Sequence, residues 1–174
     1  MPAARKNTNM KFIQAATDAW HTAGDEAQPT PAAQRLLTLA QWHAVRASWP
    51  AGLPAGLRLA NDADVEDLAD DLPRFALVVL EFPKWTDGRA YSQAHLLRAR
   101  YRYTGELRAT GAVLADMMPL LARTGFDAVQ LRDDQIEATA RQALGYFAGH
   151  YQGDVQQTRP LFARTAPAAQ VGAA

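Results

Sequence analysis

Short apolar runs alternate with stretches of helical spacing along most of the chain. From residue 34 onward the strand candidates are RLLTLA, LRLA, FALVVLE, ELRAT and DAVQLR, and each precedes a helical segment. The helices are predicted over 40–49, 64–71, 88–102, 112–124 and 135–150. In GRAYSQAHLLRARY, the positions Ala90, Ala94, Leu97 and Tyr101 share one face, as do Ile136, Ala140, Ala143, Leu144 and Phe147 in the last helix. Asp87 reads as the N-cap of the third helix, and Asp134 with Glu137 as a capping box. Pro119 should kink or split the fourth segment, because it lacks an N–H and clashes with the preceding turn.

Parallel strands need a crossover, and a helix supplies one. The repeats therefore predict an α/β fold: a single domain of about five β-α units with a mainly parallel sheet, either open and doubly wound or a partial barrel. Continuous apolarity in FALVVL fits a strand covered on both faces. The strands are too few to close an eight-unit barrel within this chain. Ahead of the repeats, MKFIQAATDAWH is expected to form a short strand or hairpin, and GDEAQPTPAA a loop broken by its two prolines. Residues 1–9 and 153–174 are expected to be flexible tails around a domain spanning 10–152, with Leu161 and Phe162 docking back.

Composition narrows the chemistry. With 174 residues, 48% hydrophobic and 21% charged, the chain is long enough for one globular core. Its 18 basic residues match its 18 acidic ones, so no global field draws it to nucleic acid or an anionic membrane. The absence of cysteine removes disulfides, thiolate metal sites and a thiol nucleophile. His21, His43, His95 and His150 fall on separate segments without paired spacing, so no metal site is expected. No G-x-G-x-x-G, P-loop or G-x-S-x-G motif is present, so no cofactor is expected. With no secretory h-region and no apolar run of spanning length, the expected location is cytoplasmic.

Ligands of parallel α/β folds bind beyond the carboxyl ends of the strands. There the sequence places Asn61 and Asp62, then Glu81, Lys84, Asp87, Arg89 and Ser92, then Arg108, Thr110 and Gly111, then Arg132 with Asp133 and Asp134. Structural readings exist for most of them. Asp62, Asp87 and Asp134 fit as caps, and Glu81 as the ion-pair partner of Lys84. Arg108 and Arg132 end strands and can emerge into water, while ATGAV at 109–113 can make an anion-binding turn. Arg89 is harder to place, because a cation in a first helical turn opposes the helix dipole.

The segments LEFPKWTDGRAYSQAHLLR, GELRATG and GFDAVQLRDD resemble a bacterial family of unknown function whose genes lie beside assimilatory sulfite reductase and phosphoadenosine phosphosulfate reductase. The resemblance spans residues 60–134 and centres on Glu81 to Ser92 and on Arg108, Thr110 and Gly111. It implies an accessory role in sulfite reduction and, less directly, an oxidoreductase. The chain departs from the family at Ala112, where an acidic residue is common, and at Thr124, where a cysteine is. No redox thiol can therefore be carried over.

Three readings stay open. In the first, a charged rim of Lys84, Arg89, Arg108 and Arg132 binds sulfite reductase, another sulfate-assimilation enzyme or a small anion. In the second, Glu81 or Asp87 serves as the catalytic acid/base and the cations clamp an anionic substrate. The third is a scaffold without catalysis. An open sheet edge would also invite a homo-oligomer.

Overall fold

The computed structural model describes residues 10–147, 151–155 and 157–163. Its strands are β1 (Lys11–Phe12), β2 (His21–Thr22), β3 (Arg35–Thr38), β4 (Ala55–Leu59), β5 (Phe75–Phe82), β6 (Glu106–Gly111) and β7 (Ala128–Val129). They form one sheet in the order β1-β7-β6-β5-β4-β3-β2, with every pair parallel. From β2 to β7 each strand therefore lies beside its successor. Crossovers of one hand that always step the same way leave their helices on one face, and the sheet curls into a half-barrel. A doubly wound sheet would need the strand order to reverse, which happens nowhere between β2 and β7.

The helices are α1 (Leu39–Val45), α2 (Arg89–Ala99), α3 (Met118–Thr124) and α4 (Glu137–Ala143). At the start of α1, Gln41 N–H donates to Thr38 Oγ1 at 3.3 Å and Thr38 N–H to Gln41 Oε1 at 2.9 Å, a reciprocal cap. The predicted helix over 64–71 is instead a pair of 3-10 turns, Glu66–Leu68 and Leu72–Arg74, the second holding Pro73. Pro119 does split the fourth segment: a 3-10 turn at Ala115–Met117 precedes α3, and the proline sits in the helix's first turn, where its missing N–H is not needed. Ile136, and not Asp134, is the N-cap of α4, so the Asp134–Glu137 capping box does not form. Arg132 takes the Asp134 carboxylate instead.

Alternation along the strands divides the sheet into two faces. On the outer face Leu57, Leu59, Val78, Leu80, Phe82, Leu107 and Val129 are buried against Trp42, Ala94, Leu97, Met118, Leu121 and Ala140 of the helix layer. Leu77, Val79 and Ala128 point the other way, aligned in register with Gly56, Arg58, Glu106 and Arg108. The N-terminal segment is not a hairpin. Its two strands lie at opposite edges of the sheet, β1 against β7 and β2 against β3, and the chain joining them straps the inner face. Asp18 on this strap pairs with Arg108 at 2.5 Å. A Cβ on Gly56 would lie 2.7 Å from the Trp20 ring, so only glycine lets that ring rest on β4.

Near the C-terminal end, Phe162 is exposed and meets the Tyr151 ring at 5.6 Å, while the Leu161 side chain, the 1–9 tail, His150 and residues 164–174 lie outside what is described. No helix among the described residues is long and apolar enough to cross a membrane.

Candidate functional site

The carboxyl ends of β4 to β7 do share one rim, as parallel pairing requires. Glu81, Lys84, Asp87, Arg89 and Ser92 lie along the β5–α2 corner, Thr110 and Gly111 end β6, and Arg132 follows β7. Arg108 is not with them. It sits mid-strand opposite Val79, only 3% exposed, and neither emerges into water nor reaches the rim. Its guanidinium is bonded by Asp18 at 2.5 Å and by Glu106 at 2.9 Å, with Lys11 closing the cluster on Glu106 at 2.9 Å. Burial would raise the Glu106 carboxyl, but hydrogen bonds from Lys11 and Arg108 outweigh it and hold it below its usual range.

At the β5–α2 corner the expected Glu81–Lys84 pair is absent. Glu81 Oε1 accepts from Arg58 Nη2 at 2.7 Å, a cation supplied by the neighbouring strand. The reason is geometric: Glu81 points to the inner face, two residues beyond Val79, which is in register with Arg58. Lys84 is exposed on the turn, which is closed by Asp87 N–H donating to Lys84 O at 3.0 Å.

Arg89 finds its structural explanation two residues back. Its Nε and Nη2 fork onto the Asp87 carboxylate at 3.0 and 2.7 Å, and its own N–H donates to Asp87 Oδ1 at 3.2 Å. The Asp87 carboxyl is held far below the usual carboxylate range, chiefly by the Arg89 side chain, and Arg89 is raised in return. The charge that opposes the helix dipole is thus cancelled on the spot. Asn61, buried beside Asp87, lowers it slightly further, although its Nδ2 meets no acceptor in full hydrogen-bonding geometry among the described residues.

Behind the corner, Phe82 packs edge-on to Tyr91 with centroids 5.0 Å apart, and Gln93, only 5% exposed, donates to Ala60 O and Ala63 O at 2.9 Å each. These bonds fasten α2 to the loop after β4. Ser92 is exposed, and Thr110 is half-buried at the strand end. At the tip of the corner, Trp85 is 56% exposed.

The ATGAV turn is fastened too. Gly111 has φ 91°, and a Cβ there would stand 2.4 Å from Phe82 O; Ala112 N–H donates to that carbonyl at 2.7 Å. Its amides serve the sheet and form no open anion nest. Arg132 forks onto Asp134 with both bonds at 2.6 Å, which with Gln135 lowers Asp134 to about 2. Beside this loop an open cleft of about 290 Å³ separates the Leu114–Asp116 turn from α4.

The predicted clamp of Lys84, Arg89 and Arg108 does not converge: Arg89 is tied to a carboxylate two residues away, as is Arg132 of the wider rim, and Arg108 is tied beneath the strap. Among the described residues no group of three or more His, Asp or Glu could hold a metal ion. Arg58, Asp18, Gln93 and Asp116 were not singled out from the sequence. Arg58 carried a signal, as the charged residue inside the apolar strand LRLA. Asp18 carried none, since its partner lies 90 residues away.

A model of the bacterial protein family of unknown function DUF934 matches residues 56–162, more than half of the chain, and the chain belongs to that family. No curated protein matches it.

Proposed function

Within this family of unknown function, we propose that the chain is a non-catalytic accessory protein of assimilatory sulfite or sulfate reduction that docks a reductase through the β5–α2 corner. The observation that carries the reading is Trp85. It stands 56% exposed beside exposed Lys84, on a corner whose other charges, Glu81, Asp87 and Arg89, are neutralised by partners within the chain. A large aromatic ringed by satisfied polar groups is what a protein partner can bury with little desolvation cost. The pathway assignment rests on the resemblance of residues 80–98, 105–111 and 125–134 to proteins encoded beside those reductases.

The acid/base alternative is less well supported. Glu81 is bonded to Arg58, and Asp87 is forked by Arg89 and held ionised, so neither carboxylate is free to face a substrate. A small anion bound at the same corner would have to compete with the Asp87 carboxylate for Arg89.

Calorimetry of the chain against purified sulfite reductase tests the docking reading. The expected result is saturable binding, lost in Trp85→Ala and weakened in Arg89→Ala. Absence of binding by the unmodified chain to this and other sulfate-assimilation reductases would refute it.

A further inference from the structure

The cleft of about 290 Å³ lies where the chain leaves β6 and β7. That is the position at which parallel sheets receive ligands, because neighbouring crossover loops part there. Its walls are already braced. Ala115 N–H donates to Gln135 Oε1 at 2.9 Å, and Arg132 N–H to Val113 O at 3.1 Å, so the loops after β6 and β7 are tied to each other.

The lining is mostly apolar, with Leu114, Ala143 and the exposed Tyr146 ring, and it carries one charged group, Asp116. Unlike Asp87 and Asp134, which are occupied by arginines, Asp116 is exposed and engages no cation among the described residues. Thr139 brings a hydroxyl into the same lining. The Tyr91 phenol, raised to about 12 chiefly by burial, feels the Asp116 charge as well, which places that carboxylate near the Phe82–Tyr91–Phe126 stack.

We propose that this cleft binds a small organic cation with an apolar body, its ammonium on Asp116 and Thr139 and its body against Leu114, Ala143 and Tyr146. A carboxylate at the edge of an apolar surface attracts an ammonium group and repels sulfite- or sulfate-like anions, and the Tyr146 ring face adds a further attraction for the cation. The site is separate from the Trp85 corner and does not depend on reductase docking.

The test uses a matched pair of probes, 2-phenylethylammonium and 3-phenylpropionate, similar in shape and opposite in charge. Each is titrated into the isotope-labelled full chain and followed by amide shifts and calorimetry. The cation is expected to saturate, moving the signals of Asp116, Thr139 and Tyr146, while the anion does not. Asp116→Asn should weaken the cation about tenfold, the loss of one charge-assisted bond. Thr139→Leu should block it by filling the cleft. Both positions are exposed, so the fold should survive, and an unchanged thermal midpoint verifies that. Equal affinity for the two probes, no saturable binding of the cation, or unaltered binding in both variants would overturn the proposal.

Discussion

The two faces of the curled sheet are built on different principles. The outer face holds Leu57, Leu59, Val78, Leu80, Phe82 and Leu107 against the helices, so its stability comes from apolar area removed from water. The inner face carries two ion clusters, Arg58–Glu81 and Lys11–Glu106–Arg108–Asp18, beneath or beside a strap of chain. A full barrel would fill this space with branched apolar layers. A half-barrel with a short strap has too little chain to do so, and charges with fixed partners take their place. Apolar packing tolerates small shifts, whereas a paired charge loses its compensation when one partner goes.

The largest effect is expected from the outer face. Phe82 is fully buried and packs on the rings of Tyr91 and Phe126, so Phe82→Ala should cost about 3–5 kcal/mol in a urea titration. On the inner face, Arg108→Ala should cost roughly 3 kcal/mol, because it leaves the largely buried Asp18 without a cation and Glu106 with Lys11 alone. The two sites differ in how they can be rescued. Arg108→Met combined with Asp18→Asn and Glu106→Gln should recover most of the loss, since it removes the charges together. A triple variant as unstable as Arg108→Ala would mean that shape, and not charge compensation, governs this face.

Strap and sheet can be tested through Gly56. A methyl there would meet the Trp20 ring at 2.7 Å, and the resulting overpacking should cost about 1–3 kcal/mol. Trp20→Ala in the same chain should remove that increment. Additive losses would show that the ring does not rest on β4.

Much of this architecture was legible because it is local. Strands β3 to β7 coincide with apolar runs, Pro119 splits its segment, and the repeated units require a parallel sheet. What escaped was set by pairing across the sheet. Strand β2 is two residues long and is stabilised by its neighbour β3, and Glu81 faces Arg58 because of register, not because of nearness in sequence. Conversely, Arg89 is hard to place from the sequence because the fork of an arginine onto a carboxylate two residues earlier leaves no periodic trace. The cleft around Asp116 was illegible for a related reason, since α4 meets that turn only in the folded chain.

Acid should separate the faces further. Glu106 titrates below its ordinary 4.5 and Asp134 at about 2 against 3.8, so the unfolded chain binds more protons than the folded one in that range. Their contribution is therefore present above about pH 4.5 and is lost as the pH falls toward 2. Urea midpoints between pH 6 and pH 3 should fall on acidification. The triple inner-face variant should show a shallower fall, whereas Phe82→Ala should lower the whole profile without changing its slope. Parallel profiles for all three proteins would disconnect the inner-face ions from acid sensitivity.

The smallest change in stability is expected at the corner, where the comparison meets function. Trp85 is 56% exposed and belongs to neither face, so Trp85→Ala should alter the urea midpoint by less than about 0.5 kcal/mol equivalent. An exposed tryptophan held for packing would show a larger loss on truncation. If the midpoint is unchanged while reductase binding disappears, the ring acts between molecules and the corner is a docking element. If stability falls by more than about 1 kcal/mol, a range associated with lost packing, the ring is covering the chain's own core and the docking reading loses its anchor.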